Sequence, residues 1–125
     1  MTGAVRIAIP TNGAGGLDAQ RSAHFGHADS FTIVDVVDGA IASGEGIVNP
    51  PHTSGGCAAT VAMLALAGVG TAIVVGMGGG PLAAMSATGM TPLFDDESPT
   101  PRAAVEAFLG GRTVGFGRDD TCKGH

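Results

Sequence analysis

One uncharged run of strand length, residues 71–75 (TAIVV), constrains the fold of this chain more than any other feature. Such a run is typical of a central β-strand that is covered on both faces. A helix built almost wholly of apolar residues is expected before it at 57–66, and a second helix is expected after it at about 82–87. The sequence therefore predicts an α/β fold, in which helices pack on the faces of a sheet.

The first half of the chain is predicted to form β-strands. Residues 5–9 and 31–37 are rich in β-branched side chains, and the dipeptide Asp38-Gly39 predicts a tight hairpin that returns over 40–48. Gly44 and Gly46 in that returning strand indicate a bulge or a lightly packed edge. The segment 13–21 is rich in glycine and polar residues, and we expect it to be mobile.

The second half supplies the remaining elements. Pro92 places a short strand, 90–94, at an edge of the sheet, and Thr100 followed by Pro101 is a good start for the last helix. The predicted order is β-β-β-α-β-α-β-α, with a mixed sheet of about five strands. We expect one domain over 1–112 and a flexible C-terminal tail over 113–125.

Composition excludes several classes of function. The 125 residues carry six Lys and Arg against eleven Asp and Glu, a net charge of −5, so no basic surface is expected for nucleic acid. No apolar run is long enough to span a bilayer, and no secretory signal is visible, which predicts a soluble cytoplasmic protein without membrane contacts. The runs of acids at 95–97 and 119–120 are interpreted as solvated faces.

Histidine and cysteine are the side chains most suited to bind a metal or cluster here. His24 and His27 lie three residues apart around a glycine, and Cys57 opens a predicted helix, whose N-terminus makes a thiol a better ligand. With Cys122 these residues could form a zinc site, but their spacing matches no zinc pattern, so zinc is the weaker alternative. For His27 alone, a turn held by backbone hydrogen bonds is the better interpretation.

A glycine-rich turn follows the predicted central strand. It presents free backbone N–H groups and the positive end of a helix dipole, which suit an anion, although close β-to-α packing explains the glycines equally well. Its residues are Gly76, Met77, Gly78, Gly79 and Gly80. The run lacks the ending of a nucleotide-binding loop, and the chain lacks both a nucleophile elbow and the carboxylates of a two-metal nuclease. We therefore expect no catalytic residues.

Taken together, several stretches resemble the nitrogenase iron–molybdenum cofactor biosynthesis family, which includes NifX- and NafY-type cofactor carriers and the C-terminal domain of the NifB type. They are IAIPT at 7–11, HFGHA at 24–28, FTIVD at 31–35, GGCA at 55–58 and GMGGGP at 76–81. The resemblance covers about residues 4–112. It implies a ribonuclease H-like three-layer fold without nuclease activity, and it makes His24 the cluster-associated histidine.

From this resemblance we expect a nitrogenase-accessory type of protein that binds and carries an iron–sulfur or molybdenum–iron–sulfur cluster, or a precursor, without catalysis. His24 would be the first ligand and Cys57 the second, with the glycine turn around the cluster and Met77 as a soft contact. Proteins that donate and accept the cluster would be its partners. Two alternatives stay open: a metal-free interaction module of the same fold, and a zinc protein. The metal and the formation of a homodimer also stay open.

Overall fold

Six strands and three helices make up the described part of the chain, which in this computed structural model comprises residues 4–23, 25, 28–49, 56–76 and 79–115. The strands are β1 (Ala4–Thr11), β2 (Ser30–Val37), β3 (Ala40–Val48), β4 (Thr71–Val74), β5 (Thr91–Phe94) and β6 (Val114–Gly115). The helices are α1 (Gly56–Leu66), α2 (Gly79–Thr88) and α3 (Pro101–Leu109). The predicted order of elements is confirmed.

All six strands form one mixed sheet in the order β3-β2-β1-β4-β5-β6. Strands β1, β4 and β5 are parallel, whereas β2, β3 and β6 are each antiparallel to the neighbour they join. This confirms the predicted mixed α/β sheet and adds the two-residue strand β6. That strand lies at the start of the segment expected to be a tail, and residues 116–125 lie outside the described part.

Two buried clusters show that helices cover both faces of the sheet. On one face, Val61 and Leu64 of α1 and Met85 of α2 pack with Ala72 and Val74 of the central strand β4. On the other face, α3 packs on residues that include Ile7, Val34 and Ile73. Ala72, Ile73 and Val74 are completely buried, so the prediction of a central strand covered on both sides is confirmed.

The hairpin between β2 and β3 has the predicted turn. Asp38 and Gly39 both have positive φ, 54° and 79°, as a type I′ turn requires. The bulge lies opposite Asp35–Val36, where Ala42 is left unpaired, and not at Gly44 or Gly46. The two glycines instead allow the segment 13–18 to lie directly on the strand, since an alanine at Gly46 would clash with the carbonyl oxygen of Ala14.

Strand β5 is not at the edge of the sheet, contrary to the expectation from Pro92. Thr91 donates its N–H to Gly70, and Asp95 donates to Val74, so the alternate residue Pro92 directs its nitrogen away from β4. Strand β6 pairs only with Leu93 and Phe94. The missing N–H of Pro92 therefore costs no ladder hydrogen bond, although the strand has neighbours on both sides.

Helix α3 begins as predicted. Thr100 is its N-cap, and its hydroxyl accepts a hydrogen bond from the N–H of Ala103 at 3.2 Å. Pro101 occupies the first helical position, where its missing N–H has no partner to lose. No helix in the described part of the chain is long and apolar enough to cross a bilayer.

Candidate functional site

The carboxyl edge of the sheet is where the parallel strands β1, β4 and β5 end, at Thr11, Val74 and Phe94. Strand β2 begins and β3 ends at this same edge, because Ser30 pairs with both Thr11 and Val48. The segments 12–29, 49–55 and 75–78 therefore all start or end here. In sequence, these segments contain the predicted histidine turn, the residues that lead into α1, and part of the predicted glycine-rich turn.

The sequence-predicted site residues differ in how far the structure places them. His24, His27, Met77, Gly78 and Cys122 lie outside the described residues. The backbone places Cys57 second in α1, Gly79 and Gly80 first and second in α2, and Gly76 in the loop after β4. The ligand roles expected of these residues remain predictions.

Phe25, the immediate neighbour of His24 in the sequence, is packed in the core. Its ring lies 5.2 Å from that of Phe31, centroid to centroid, and is almost fully buried. It belongs to the same apolar cluster as Leu64 of α1 and Met85 of α2. The chain next to His24 is therefore anchored on the face of the sheet that α1 and α2 cover.

The chain after the histidine turn is tied to the end of β3. Asn49 donates from its side-chain amide to the carbonyl of Ala28 at 2.8 Å and from its backbone to that of Asp29 at 3.1 Å. The carboxylate of Asp29 in turn accepts the N–H of Gly13 at 2.8 Å. These bonds tie both ends of the segment 12–29 to the start of the segment 49–55.

The starts of α1 and α2 bring the positive ends of two helix dipoles to the loops at this edge. Neither helix has an acidic residue in its first turn, so no side-chain carboxylate of the helix itself neutralises the positive end of its dipole. The first N–H groups of each helix also have no partner within the helix. Two such starts at the ends of edge segments favour negative charge.

The segment expected to be mobile is instead held on the second face of the sheet. Thr11, Ser30 and Thr32 are completely buried, and the hydroxyl oxygens of Thr11 and Ser30 lie 2.7 Å apart. Thr32 accepts the N–H of Gly16 at 2.9 Å, and Leu17 accepts the N–H of Arg102 at 3.0 Å. The segment thus has fixed contacts with β1, β2 and α3.

Arg21 is the residue at this edge that sequence reasoning missed. It forms an antiparallel bridge with Thr11 on the side of β1 not taken by β2, and only 4% of its side chain is exposed. Its Nη1 donates to the carboxylate of Asp95 at 3.3 Å and to the carbonyl of Ser98 at 3.1 Å. Asp95, expected on a solvated face, is therefore buried beside a cation, with 9% of its side chain exposed.

Burial lowers the pKa of the Arg21 guanidinium, because desolvation outweighs the attraction of Asp95 and Asp96. Among the described residues, its Nε and Nη2 atoms have no hydrogen-bond partner although both are buried. Buried polar groups in native proteins are rarely left in this state. The only sequence signal was a single basic residue in a glycine-rich segment, and its partner lies 74 positions further on.

A cavity of about 450 Å³ lies beyond the Arg21–Asp95 pair, between the end of β5 and α3. The residues that line it include four acids, Asp95, Asp96, Glu97 and Glu106, and one base, Arg112. This excess of negative charge disfavours an anionic ligand. In the described part of the chain, no three His, Cys, Asp or Glu side chains are grouped to hold a metal ion.

The fold and its edge define a class: a three-layer α/β protein with loops, two helix starts and a buried arginine at the edge where the parallel strands end. The family model for the dinitrogenase iron–molybdenum cofactor proteins matches residues 3–111, so this chain belongs to that family. No curated protein is significantly similar in sequence.

Solved structures agree with this assignment. The apo form of the orange protein from Desulfovibrio gigas is 30% identical, with a TM-score of 0.75 over 88% of this chain and 91% of that one. A Thermotoga protein assigned provisionally to the NifB proteins is 27% identical, with a TM-score of 0.70 over 90% and 93%. A Methanocaldococcus jannaschii protein provisionally called a dinitrogenase is 14% identical and shares the fold, with a TM-score of 0.69 over 88% and 92%.

Proposed function

We propose that this protein binds and carries an anionic metal–sulfur cluster, or a precursor of one, without transforming it. Iron–sulfur and molybdenum–iron–sulfur clusters are the cargo that membership of the dinitrogenase iron–molybdenum cofactor family favours. Proteins that donate and accept the cluster would be its partners, and the protein would work in the cytoplasm. No nucleic acid or membrane enters this function.

The observation that carries the proposal is that three loop segments start or end at the carboxyl edge of the sheet. Phe25 holds the chain beside His24 on the α1–α2 face, and both helices start at this edge with no carboxylate in their first turns. An imidazole and a thiolate are ligands that iron in clusters accepts. The N–H groups at the helix starts favour the negative charge of the cluster sulfides.

The residues proposed to hold the cluster have different roles. His24 and Cys57 would each bond a metal atom, with His27 and Cys122 as further donors in the zinc alternative. The backbone of Gly76, Gly78, Gly79 and Gly80 would surround the sulfides, and Met77 would contribute a soft contact.

Anaerobic reconstitution tests the proposal. Apo-protein is given ferrous iron and sulfide, with and without molybdate, and bound iron, molybdenum and sulfide are counted beside the visible spectrum. We expect a coloured protein with a fixed metal-to-sulfide ratio, which His24→Ala combined with Cys57→Ala abolishes. Cys122→Ala is the matched thiol control, and we expect it to keep the colour.

Three results would contradict the proposal in different ways. A protein that refuses the cluster and is metal-free when purified without oxygen would be the interaction module. One zinc per chain without visible colour would support a zinc site. A cluster bound equally well by the double variant would refute the ligand assignment alone.

A further inference from the structure

Arg21 has an unused hydrogen-bonding edge, and the two other arginines paired with aspartate show what such an edge does in this protein. In Arg6, Nε and Nη2 donate to the two oxygens of Asp35, at 2.7 and 3.3 Å. In Arg102, the same two atoms donate to the two oxygens of Asp18, at 3.0 and 3.2 Å. The Nε–Nη2 edge thus binds one anion through two parallel bonds, the geometry for which guanidinium is best suited.

Arg21 binds its own aspartate differently. It reaches Asp95 through Nη1 alone, at 3.3 Å, and the same nitrogen also donates to the carbonyl of Ser98. Its Nε–Nη2 edge is buried and without a partner among the described residues. Removing two N–H donors from water without replacing their hydrogen bonds is costly, so such an edge is expected to have an acceptor when the protein functions.

Arg21 lies where the parallel strands of the sheet end. The N–H of Ser22 donates to Pro10 at 2.9 Å, so the backbone around Arg21 continues the sheet beside the end of β1. Its partner Asp95 directly follows β5 and donates its N–H to Val74 at the end of β4. The guanidinium therefore lies among the carboxyl ends of all three parallel strands, where ligands of open α/β sheets bind.

We infer that Arg21 is an anion-binding residue, whose Nε–Nη2 edge takes two neighbouring oxygen or sulfur atoms of one anionic ligand at the carboxyl edge of the sheet. Asp95 holds the guanidinium from Nη1 and leaves that edge for the ligand. The identity of the ligand as cluster cargo rests on the proposed function, whereas anion binding by Arg21 does not.

Arginine Nε–H resonances of the ¹⁵N-labelled apo-protein provide the test, with Arg21→Lys to assign the signal. Lysine keeps a cation for Asp95 but has no pair of parallel donors. We titrate inorganic phosphate and, separately, the iron–sulfide cluster formed anaerobically. We expect the Arg21 signal to respond to added anion, and Arg21→Lys to bind the cluster about 10- to 100-fold more weakly, the effect of losing one charge-assisted bond. Arg102→Lys is the matched control, since its edge already binds Asp18, and it should bind as the wild type does.

The outcomes separate this inference from the proposed function. A cluster bound equally by wild type and Arg21→Lys, with the Arg21 signal unmoved, overturns the inference and leaves the proposed function intact. If the wild type binds no cluster, the proposed function fails, and the phosphate titration alone then tests anion binding by Arg21. A saturable response of the Arg21 signal to phosphate supports the anion site, while no response means that only water occupies the edge and refutes it. If Arg21→Lys folds poorly, the wild-type titrations still test the inference, because they require no variant.

Discussion

Gly46→Ala is expected to be strongly destabilising, because the backbone of another segment occupies the place of the new methyl group. A Cβ at Gly46 would lie 2.0 Å from the carbonyl oxygen of Ala14 and 3.0 Å from Cα of Gly15. Ordinary van der Waals contact begins at 3.4 Å, so the Ala14 carbonyl has to move by about 1.4 Å. Neither contact is the flexible end of a side chain, so the segment 13–18 itself must lift from β3.

The cost of lifting this segment follows from what it covers. Gly16 would withdraw its N–H from the buried hydroxyl of Thr32, which it reaches at 2.9 Å. Overpacking costs about 1–3 kcal/mol, and loss of a partner for a buried polar group costs about 1–3 kcal/mol. Since these terms overlap, we expect the free energy of unfolding to fall by about 2–4 kcal/mol, a large fraction of the stability of a domain this size.

Urea unfolding of three variants measures this effect. At Gly44 the clash is with the Leu17 side chain, which can rotate, and at Gly70 nothing lies within 4 Å. We expect Gly46→Ala to lose the most stability, Gly44→Ala less, and Gly70→Ala almost none or a gain of a few tenths of a kcal/mol, because alanine restricts the unfolded chain. Similar urea midpoints for the Gly46 and Gly70 variants would show that the segment does not lie on β3.

Two further predictions concern the rest of the domain. Thr100→Ala removes the acceptor of the Ala103 N–H and should lower the free energy of unfolding by about 1 kcal/mol in chemical denaturation, whereas Thr100→Ser should retain most of it. The hydrogen bond from Arg6 holds the pKa of Asp35 below its usual range, so the ionised carboxylate stabilises the fold above the unfolded pKa of about 4 and this stability is lost as the pH falls through the folded pKa. The stability difference between wild type and Asp35→Asn should therefore be small near pH 7, because both partners are partly exposed, and should vanish in acid; a difference that grows on acidification would refute the assignment.

Local sequence signals were sufficient to predict the elements that are determined by residues close together in the sequence. The positive φ angles of Asp38 and Gly39 follow from the residues themselves, and the cap at Thr100 depends on a partner three positions away. The uncharged composition of β4 likewise predicts its burial, since a strand covered on both faces tolerates no charge. These features place most of the sheet and all three helices without any knowledge of tertiary contacts.

Features that depend on distant partners were not predictable in this way. Gly46 has the same local signature as a bulge, and only the position of Ala14 shows that it permits close approach of two backbones. Strand β6 has two residues, too few for any periodic pattern. Arg21 is the single basic residue of the segment 13–21, and it is buried beside Asp95, a partner 74 positions away. The sequence therefore predicted the loops at the candidate site but not the buried arginine beside them.

The two faces of the sheet make different contributions to the carboxyl edge. On the α1–α2 face, Phe25 anchors the chain next to the predicted ligand His24. On the other face, the side-chain-free surface of Gly44 and Gly46 lets the segment 13–18 lie flat, and that segment leads directly into Arg21. Because Arg21 then pairs beside the end of β1, packing on the face away from α1 and α2 determines where the buried cation lies. The Phe25 side and the Arg21 side of the carboxyl edge are therefore positioned independently, each by packing on its own face of the sheet.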